Sequence, residues 1–403
     1  MEVKKILVTG TTFPRWKNDT EPSFVYELSG LLAKRGFEVI ALLPHHKGAA
    51  KREIMGRVKI IRFPYFFTRF EKLCYEGGMI PNMKKHWYAR FLMPLLVMSE
   101  IIYAFRIAKK EKIDAIHAHW IVPQGFVAAV IRKFTGIPYI VTAHAGDVFP
   151  LKNRFLKWFG KTALRNCFYC TVNSNATKQA VVEVANIPNV DVIPMGVDLK
   201  AFSPSKKSSS IRKRLGINGP FILTVGRMAE KKGFKYLIAA MPKILKRLPK
   251  AKLVLIGDGP DKEMLERLAN ELNLGSNVVF AGKVTHKELE RWYPTADVFV
   301  LPSIVTSEGD TEGLGVVFLE AIASGTPIIG SNVGGIPDII KHNKTGLLAP
   351  QKDTDALADA IIKVLTDSTL NRKLRKNAID FVKERFTWDL VADRFAGLFR
   401  RIR

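Results

Sequence analysis

The sequence predicts two doubly wound α/β domains. Short apolar runs of strand length alternate with amphipathic segments that stop at glycine. The alternation starts afresh near residue 221. The chain has 403 residues, 47% apolar and 25% charged, which is enough for two or three globular domains and excludes a mainly disordered chain.

The elements follow in order. Residues 5–9 are a strand closed by Gly10, and residues 24–36 carry apolar side chains at helical spacing up to Gly36. Residues 38–43 are a second strand, bounded by Pro44. Residues 115–119 and 139–142 are further buried strands. In the second unit, strands are expected at 221–226, 252–257, 278–282, 298–301 and 327–330, with helices over 234–241 and 263–272. Continuous apolar runs separated by helices imply parallel strands with crossover helices. Residues 203–210, Ser-Pro-Ser-Lys-Lys-Ser-Ser-Ser, have linker composition. The domains are placed at 1–202 and 203–386, the second including a linker over 203–215. Ligands of such sheets bind outside the carboxyl ends of the strands, and the expected site is a cleft between two domains that face each other.

Composition excludes several classes. Three cysteines argue against a disulfide scaffold and for a reducing compartment. Residues 1–6 lack the long apolar core of a signal peptide. The longest apolar stretch, near 91–105, contains Pro94, Ser99 and Glu100 and is closed by Arg106, so it is read as too short to cross a membrane. The net charge is +26, with 30 basic and 15 acidic residues in 1–200. That excess favours nucleic acid, an anionic membrane surface or phosphorylated small molecules, with a merely solvated surface as the equal, bland alternative. No zinc-finger spacing or stacking-aromatic motif supports nucleic acid, so none is expected as a partner.

Two segments carry the chemistry. The first is Gly226-Arg227-Met228-Ala229-Glu230-Lys231-Lys232-Gly233, after a strand and before a helix. Arg227 and Lys232 at the mouth of a helix form a phosphate arrangement, with a solvated charged turn as the bland alternative. It is not a Walker motif. The second is the glycine-rich loop and helix from Glu308 to Gly325, with Glu312 in the loop and Glu320 about two turns into the helix. Eight helical residues span about 12 Å, more than the ~5 Å or 6.5–9.5 Å between the carboxyls of a glycosidase pair. One carboxylate at each end of an elongated ligand fits better, and a nucleotide sugar is such a ligand. For Glu320 alone, a partly buried structural role is the stronger reading.

Together these residues resemble the retaining glycosyltransferases of family 4, which have the GT-B fold. The likeness runs over nearly the whole chain. It includes Glu312-x7-Glu320 with Gly313, Gly315, Ala321 and Gly325, then Gly226-Arg227 with Lys232-Gly233. It continues in residues 192–198, Thr142-Ala143-His144-Ala145-Gly146-Asp147, Gly334-Gly335-Ile336-Pro337-Asp338 and Phe386-Thr387-Trp388-Asp389. The resemblance implies a hexosyl transfer from a UDP- or GDP-linked donor, with no metal or other cofactor. It implies that Arg227 and Lys232 hold the donor diphosphate and that Glu320 bonds the ribose. Glu312 and the N–H groups of Gly313, Leu314 and Gly315, with Val316 opening the helix, would face the donor sugar and phosphate. Val284 would contact the base through its backbone, and His144 would sit near the sugar. Asp147 and Trp16 are acceptor-side candidates. A C-terminal helix, about 387–403, would cross back onto the first domain. The loop 11–22 lacks the glycine pair that many members carry there. Rival readings are a non-catalytic nucleotide-sugar-binding scaffold of glycan assembly, a glycosyltransferase acting on a soluble sugar, and a phosphorylase- or epimerase-type enzyme.

Other signals are weaker. His117 and His119 share a strand face, but nothing in the sequence completes a metal site. His45 and His46 read as a solvated loop pair. Cys167 and Cys170 read as part of a buried strand. Asp258 and Asp261 read as a turn before a helix. Residues 151–165 form a basic amphipathic helix: Leu151, Phe155, Trp158, Phe159 and Thr162 on one side, and Arg154, Lys157, Lys161 and Arg165 beside them. It either packs inward or lies on a membrane interface. The expected acceptor is a lipid-linked, polysaccharide or other glycan, and the expected place is the cytoplasm, with a peripheral position at the membrane face as one option. Oligomeric state is not legible.

Overall fold

The computed structural model describes residues 3–17, 19, 21–151 and 153–402, with Ile80 described by its backbone alone. Met1 and Glu2 of the N-terminal reading, Asn18 and Thr20 of the loop 11–22, and Lys152 of the segment 151–165 lie outside these. The chain divides into two compact units. One is Met1–Pro194 with Trp388–Arg403, the other Met195–Thr387.

Unit 1 runs β1 (Lys5–Thr9), α1 (Phe24–Lys34), β2 (Glu38–Pro44), β3 (Arg52–Met55), β4 (Val58–Phe63), α2 (Met79–Lys85), α3 (Ala89–Glu111), β5 (Ala115–His119), α4 (Phe126–Thr135), β6 (Tyr139–Ala143), α5 (Arg154–Arg165), β7 (Tyr169–Val172), α6 (Asn175–Val184) and β8 (Val190–Val192). Its sheet order is β3-β4-β2-β1-β5-β6-β7-β8. Every pair is parallel except β3 with β4. β1 is buried beyond its first residue and β5 throughout, which explains runs apolar on both faces.

Unit 2 runs α7 (Ser209–Arg214), β9 (Phe221–Val225), α8 (Phe234–Arg247), β10 (Lys252–Ile256), α9 (Lys262–Glu271), β11 (Val278–Gly282), α10 (His286–Trp292), β12 (Val298–Leu301), α11 (Val316–Ala323), β13 (Ile328–Ser331), α12 (Ile336–Ile339), β14 (Leu347–Ala349), α13 (Thr354–Thr366) and α14 (Ser368–Arg385). Its strands lie β11-β10-β9-β12-β13-β14, all parallel. Both units are doubly wound, as the strand–helix alternation predicts.

The last helix, α15 (Trp388–Arg401), belongs to unit 1. Its Phe395 and Phe399 pack on His117, and Phe399 also meets Phe37. Arg35 on the turn after α1 bonds Asp393 at 2.7 Å. The two chain crossings run side by side, with Val197 bridged to Thr387. The first crossing therefore falls at Pro194, ahead of the expected boundary at 202.

Two expectations change. Residues 203–215 are not a free linker: Lys206 pairs with Glu290 at 2.5 Å, Ser208 N–H donates to Thr295 Oγ1, and Arg212 pairs with Asp297. These anchors tie the serine-rich stretch to unit 2. The apolar stretch near 91–105 is not cut short either. It belongs to the 23-residue α3, with Pro94 inside, which by length and composition alone could cross a membrane. Its inner side packs on the sheet through Leu92, Leu96, Ala104, Ile107 and Ala108.

Glu100 lies on that inner side, fully buried, and accepts one hydrogen bond from Gln124 Nε2 at 3.2 Å. Burial pushes its carboxyl up to about 8, against a smaller downward pull from Gln124. The folded pKa is raised, so Glu100 costs nothing at pH below its ordinary range. The cost grows as pH climbs from there to about 8. Glu100→Gln removes the ionisation. Its expected stability gain is negligible in acid and reaches a few kcal/mol near pH 8. Thermal melts of both proteins across that range check it, and a gain independent of pH overturns the assignment.

Candidate active site

In both sheets the chain first builds one side, then crosses back to build the other. The reversal in unit 2 lies between β9 and β12. Loops leaving the carboxyl ends of two such strands must diverge, leaving a crevice. The loop after β9 carries Arg227 and Lys232, and the loop after β12 carries Glu312 to Gly315.

The structure brings these loops together. Lys232 sits in a short 3-10 turn just before α8. Its Nζ donates to Glu312 Oε2 at 2.5 Å, and Ser303 Oγ lies 3.5 Å from the same oxygen. Burial alone would raise the Glu312 carboxyl, but Lys232, Lys231 and Ser303 outweigh it and hold it below the ordinary carboxylate range. Lys231 pairs with Asp310, which ties down the acidic part of the loop. Gly233, at φ +66°, has to be glycine: a Cβ there would meet the Pro302 carbonyl oxygen at 1.9 Å. Arg227 is exposed at the end of β9. The N–H groups of Gly313, Leu314 and Gly315 have no hydrogen-bond acceptor among the described residues. Val316 opens α11 behind them.

Glu320 is buried one turn from the end of α11. Its Oε1 lies 3.1 Å from His286 Nε2, and its Oε2 accepts from Tyr293 O–H at 2.7 Å. Val284 is half-buried just before α10, which Thr285 starts with a capping box to Glu288. Sequence reasoning missed His286 and Tyr293. The capping-box spacing marks His286 as the start of a helix, but nothing in the sequence joins it to Glu320.

In unit 1 the reversal lies between β1 and β5. The loop after β1 presents Trp16, which is partly exposed and stacks under the Arg15 guanidinium at 4.5 Å. Arg15 is itself buried, bonded to Asp19 at 2.8 Å and Glu76 at 3.2 Å. A buried Arg62 donates to the carbonyls of Pro14 and Arg15, so two arginines fix this loop without a glycine pair. His46 joins the same cluster 3.4 Å from Arg15 and is only partly exposed, and His45 is buried, 2.6 Å from Glu71. The two histidines are thus not the solvated pair expected of the loop, because each has a buried charged partner.

His144 follows β6. Its Nε2 lies 3.0 Å from His119 Nδ1, and its ring packs on Trp120 and Phe24. Burial pushes His144 down to about 3, and His117 likewise. Asp147 differs from the acceptor-side expectation. One of its oxygens accepts the N–H of Ile121 at 2.6 Å and the other the N–H of His144 at 2.8 Å. It clamps the ends of β5 and β6 together instead of facing outward. Burial pushes its carboxyl up to about 6, against these donors.

No group of three or more His, Cys, Asp or Glu converges for a metal among the described residues. Cys170 is buried, and burial pushes the Cys167 thiol up to about 12. The amphipathic segment packs inward through Gly160, Ala163 and Leu164 of α5, leaving Phe155 and Trp158 exposed.

Comparison with known proteins decides the family. Residues 23–201 match the model described as Glycosyltransferase Family 4, and residues 207–381 that described as Glycosyl transferases group 1. An uncharacterized glycosyltransferase of Methanocaldococcus jannaschii is 30% identical over 374 residues, covering 88% of this chain and 93% of that protein. This chain belongs to glycosyltransferase family 4. A GDP-mannose-dependent alpha-(1-6)-phosphatidylinositol monomannoside mannosyltransferase of Mycobacterium tuberculosis is 35% identical over 215 residues, 53% of this chain and 56% of that one. Sucrose-phosphate synthase from Thermosynechococcus elongatus superposes with a TM-score of 0.81 at 26% identity, over 99% of each chain. Anabaena HepE in complex with UDP-glucose gives 0.74 at 18% identity over 98% of each, a likeness of fold. This glycosyltransferase has the two-domain GT-B fold.

The depressed histidines set a pH expectation. A group held neutral in the fold contributes full stability above its unfolded pKa, near 6.5, and loses it as pH falls toward about 3. His144 should therefore stay neutral from about pH 5 to 8. NMR of the imidazole ring checks this, and a midpoint near 6.5 for His144 contradicts it.

Proposed function

We propose that this glycosyltransferase moves a hexosyl group from a UDP- or GDP-linked donor to a lipid-linked or glycan acceptor, with retention and without a metal. The observation that carries the reading is the half-buried Lys232–Glu312 pair beside the unbonded N–H groups of 313–315. A donor diphosphate offers Lys232 a second anionic partner and offers those N–H groups acceptors. Arg227 adds a second cation. Charge on the departing diphosphate is then met by fixed donors, which is the main catalytic device such a site has. The acceptor hydroxyl oxygen bonds to the anomeric carbon on the side the diphosphate leaves. The carbon–oxygen bond to the phosphate breaks, and the phosphate oxygen takes the hydroxyl proton. Neutral His144 serves the donor sugar as a hydrogen-bonding group, not as a cation.

Glu320 serves the ribose. Tyr293 and His286 fix its carboxylate and leave lone pairs for a hydroxyl donor. Val284 lies at the start of α10, where its backbone can meet the base. Trp16 is the acceptor-side residue we retain. The Mycobacterium relative's name couples GDP-mannose to a phosphatidylinositol monomannoside, which supports a lipid-linked acceptor and, with it, a peripheral place at a membrane face. The exposed Phe155 and Trp158 of α5, with Arg154 and Lys161, would contribute contact.

Lys232→Ala should lower turnover roughly a hundredfold, about 3 kcal/mol, with a melt recorded to confirm folding. Near-normal turnover with a screened nucleotide sugar overturns the role. Glu320→Gln should weaken nucleoside diphosphate binding by about tenfold, the worth of one charge-assisted hydrogen bond. Calorimetry decides, and unchanged affinity leaves Glu320 structural.

A further inference from the structure

The outer side of α3 is unlike a solvent-facing helix. Trp87, Phe91, Leu95, Met98 and Ile102 are all exposed. Their spacing of three and four residues places them within about 80° of arc at ~100° per residue. Trp87 stands two residues before the helix and contacts Phe91. The patch continues through ring contacts from Trp87 to Tyr88, Phe70, Phe66 and Phe67. Phe67 and Phe91 are each 70% exposed and Trp87 80%, so these are large rings left in water. The inner side of the same helix is packed on the sheet, so this stripe is surplus to the core. A contiguous apolar patch of this kind marks an interaction surface.

Its rim is cationic. Residues 66–110 hold eight Lys and Arg against three Glu. Two of those three, Glu71 and Glu100, are buried. Arg69, Lys72, Lys84, Lys85, Arg90, Arg106, Lys109 and Lys110 are all exposed. Beside the aromatic end lies a cavity of about 230 Å³ whose lining includes Lys47, Arg69, Lys72 and Lys85. Lys47, Lys72 and Lys85 have no ion-pair partner among the described residues.

We propose that α2, the outer stripe of α3 and the Phe66–Phe67 loop form a docking surface for an anionic phospholipid bilayer. Phe and Trp rings enter the headgroup boundary, and the surrounding Lys and Arg meet lipid phosphate. Charge selects this occupant over a second copy. A twofold dimer would set the patch against itself and bring like-charged rims together, whereas an anionic bilayer neutralises them. The neighbouring layer agrees, since α3 packs on α4 and α4 on α5, and α5 exposes Phe155 and Trp158. This surface exposes more large apolar side chains than α5 does, and it does not depend on the sugar-transfer reading.

Sedimentation of the full chain with vesicles of equal parts phosphatidylcholine and phosphatidylglycerol tests it. The wild type should co-sediment at ~0.1 M salt and be released at 1 M, where the screening length falls to about 3 Å. Phe91→Glu/Met98→Glu should lower the partition at least about tenfold. Its melt and its affinity for nucleoside diphosphate should stay at wild-type values. A smaller loss is expected from Phe155→Glu/Trp158→Glu. No wild-type binding, wild-type binding by Phe91→Glu/Met98→Glu, or equal binding to pure phosphatidylcholine overturns the proposal. So does a dimer in solution that dissociates in that variant while vesicle binding is absent.

Discussion

Parallel strand pairing is the constraint on which the rest depends. A parallel strand can be reached only by a crossover, so every loop that leaves a carboxyl end emerges at one edge of the sheet. Where the winding direction reverses, two such loops part and leave a crevice. Unit 2 reverses between β9 and β12, and unit 1 between β1 and β5. Lys232 and Glu312 are distant in sequence, yet they meet because their strands are neighbours at that reversal.

Burial then dictates how the charges are used. An ionised carboxylate taken out of water needs partners or it must give up its charge. Glu312 finds Lys232, and Glu320 finds Tyr293 and His286. Asp147 spends both oxygens on backbone N–H groups, and Glu100 has only Gln124, so burial raises both carboxyls. The same desolvation keeps His144 neutral. Each unit therefore uses its strand-end charges differently: unit 2 holds an ion pair, and unit 1 keeps a neutral imidazole.

α3 shows burial from the opposite direction. One face of the helix meets the sheet through small and branched side chains, and the other leaves Phe91, Leu95, Met98 and Ile102 exposed to solvent. α15 shows the alternative outcome, since Phe395 and Phe399 cross back to cover α1 and β5. The same apolar content is closed in one place and left open in the other.

The sequence by itself determined the two doubly wound units, because parallel strands buried on both faces must read as unbroken apolar runs. It determined the loop with Arg227 and Lys232 and the loop with Glu312, because glycines and charges at strand ends are visible as local spacing. Gly233 is legible for the same reason, although its clash partner Pro302 is not. The partners of each charge were decided only by the tertiary structure. His286 and Tyr293 around Glu320, Arg15 and Arg62 under the Trp16 loop, and the backbone clamp by Asp147 are contacts between distant segments with no spacing to betray them. Anchors along 203–215 turned a serine-rich stretch into part of unit 2. Helical periodicity says which residues of α3 share a face. Only the packing of one face on the sheet reveals which face is left to solvent.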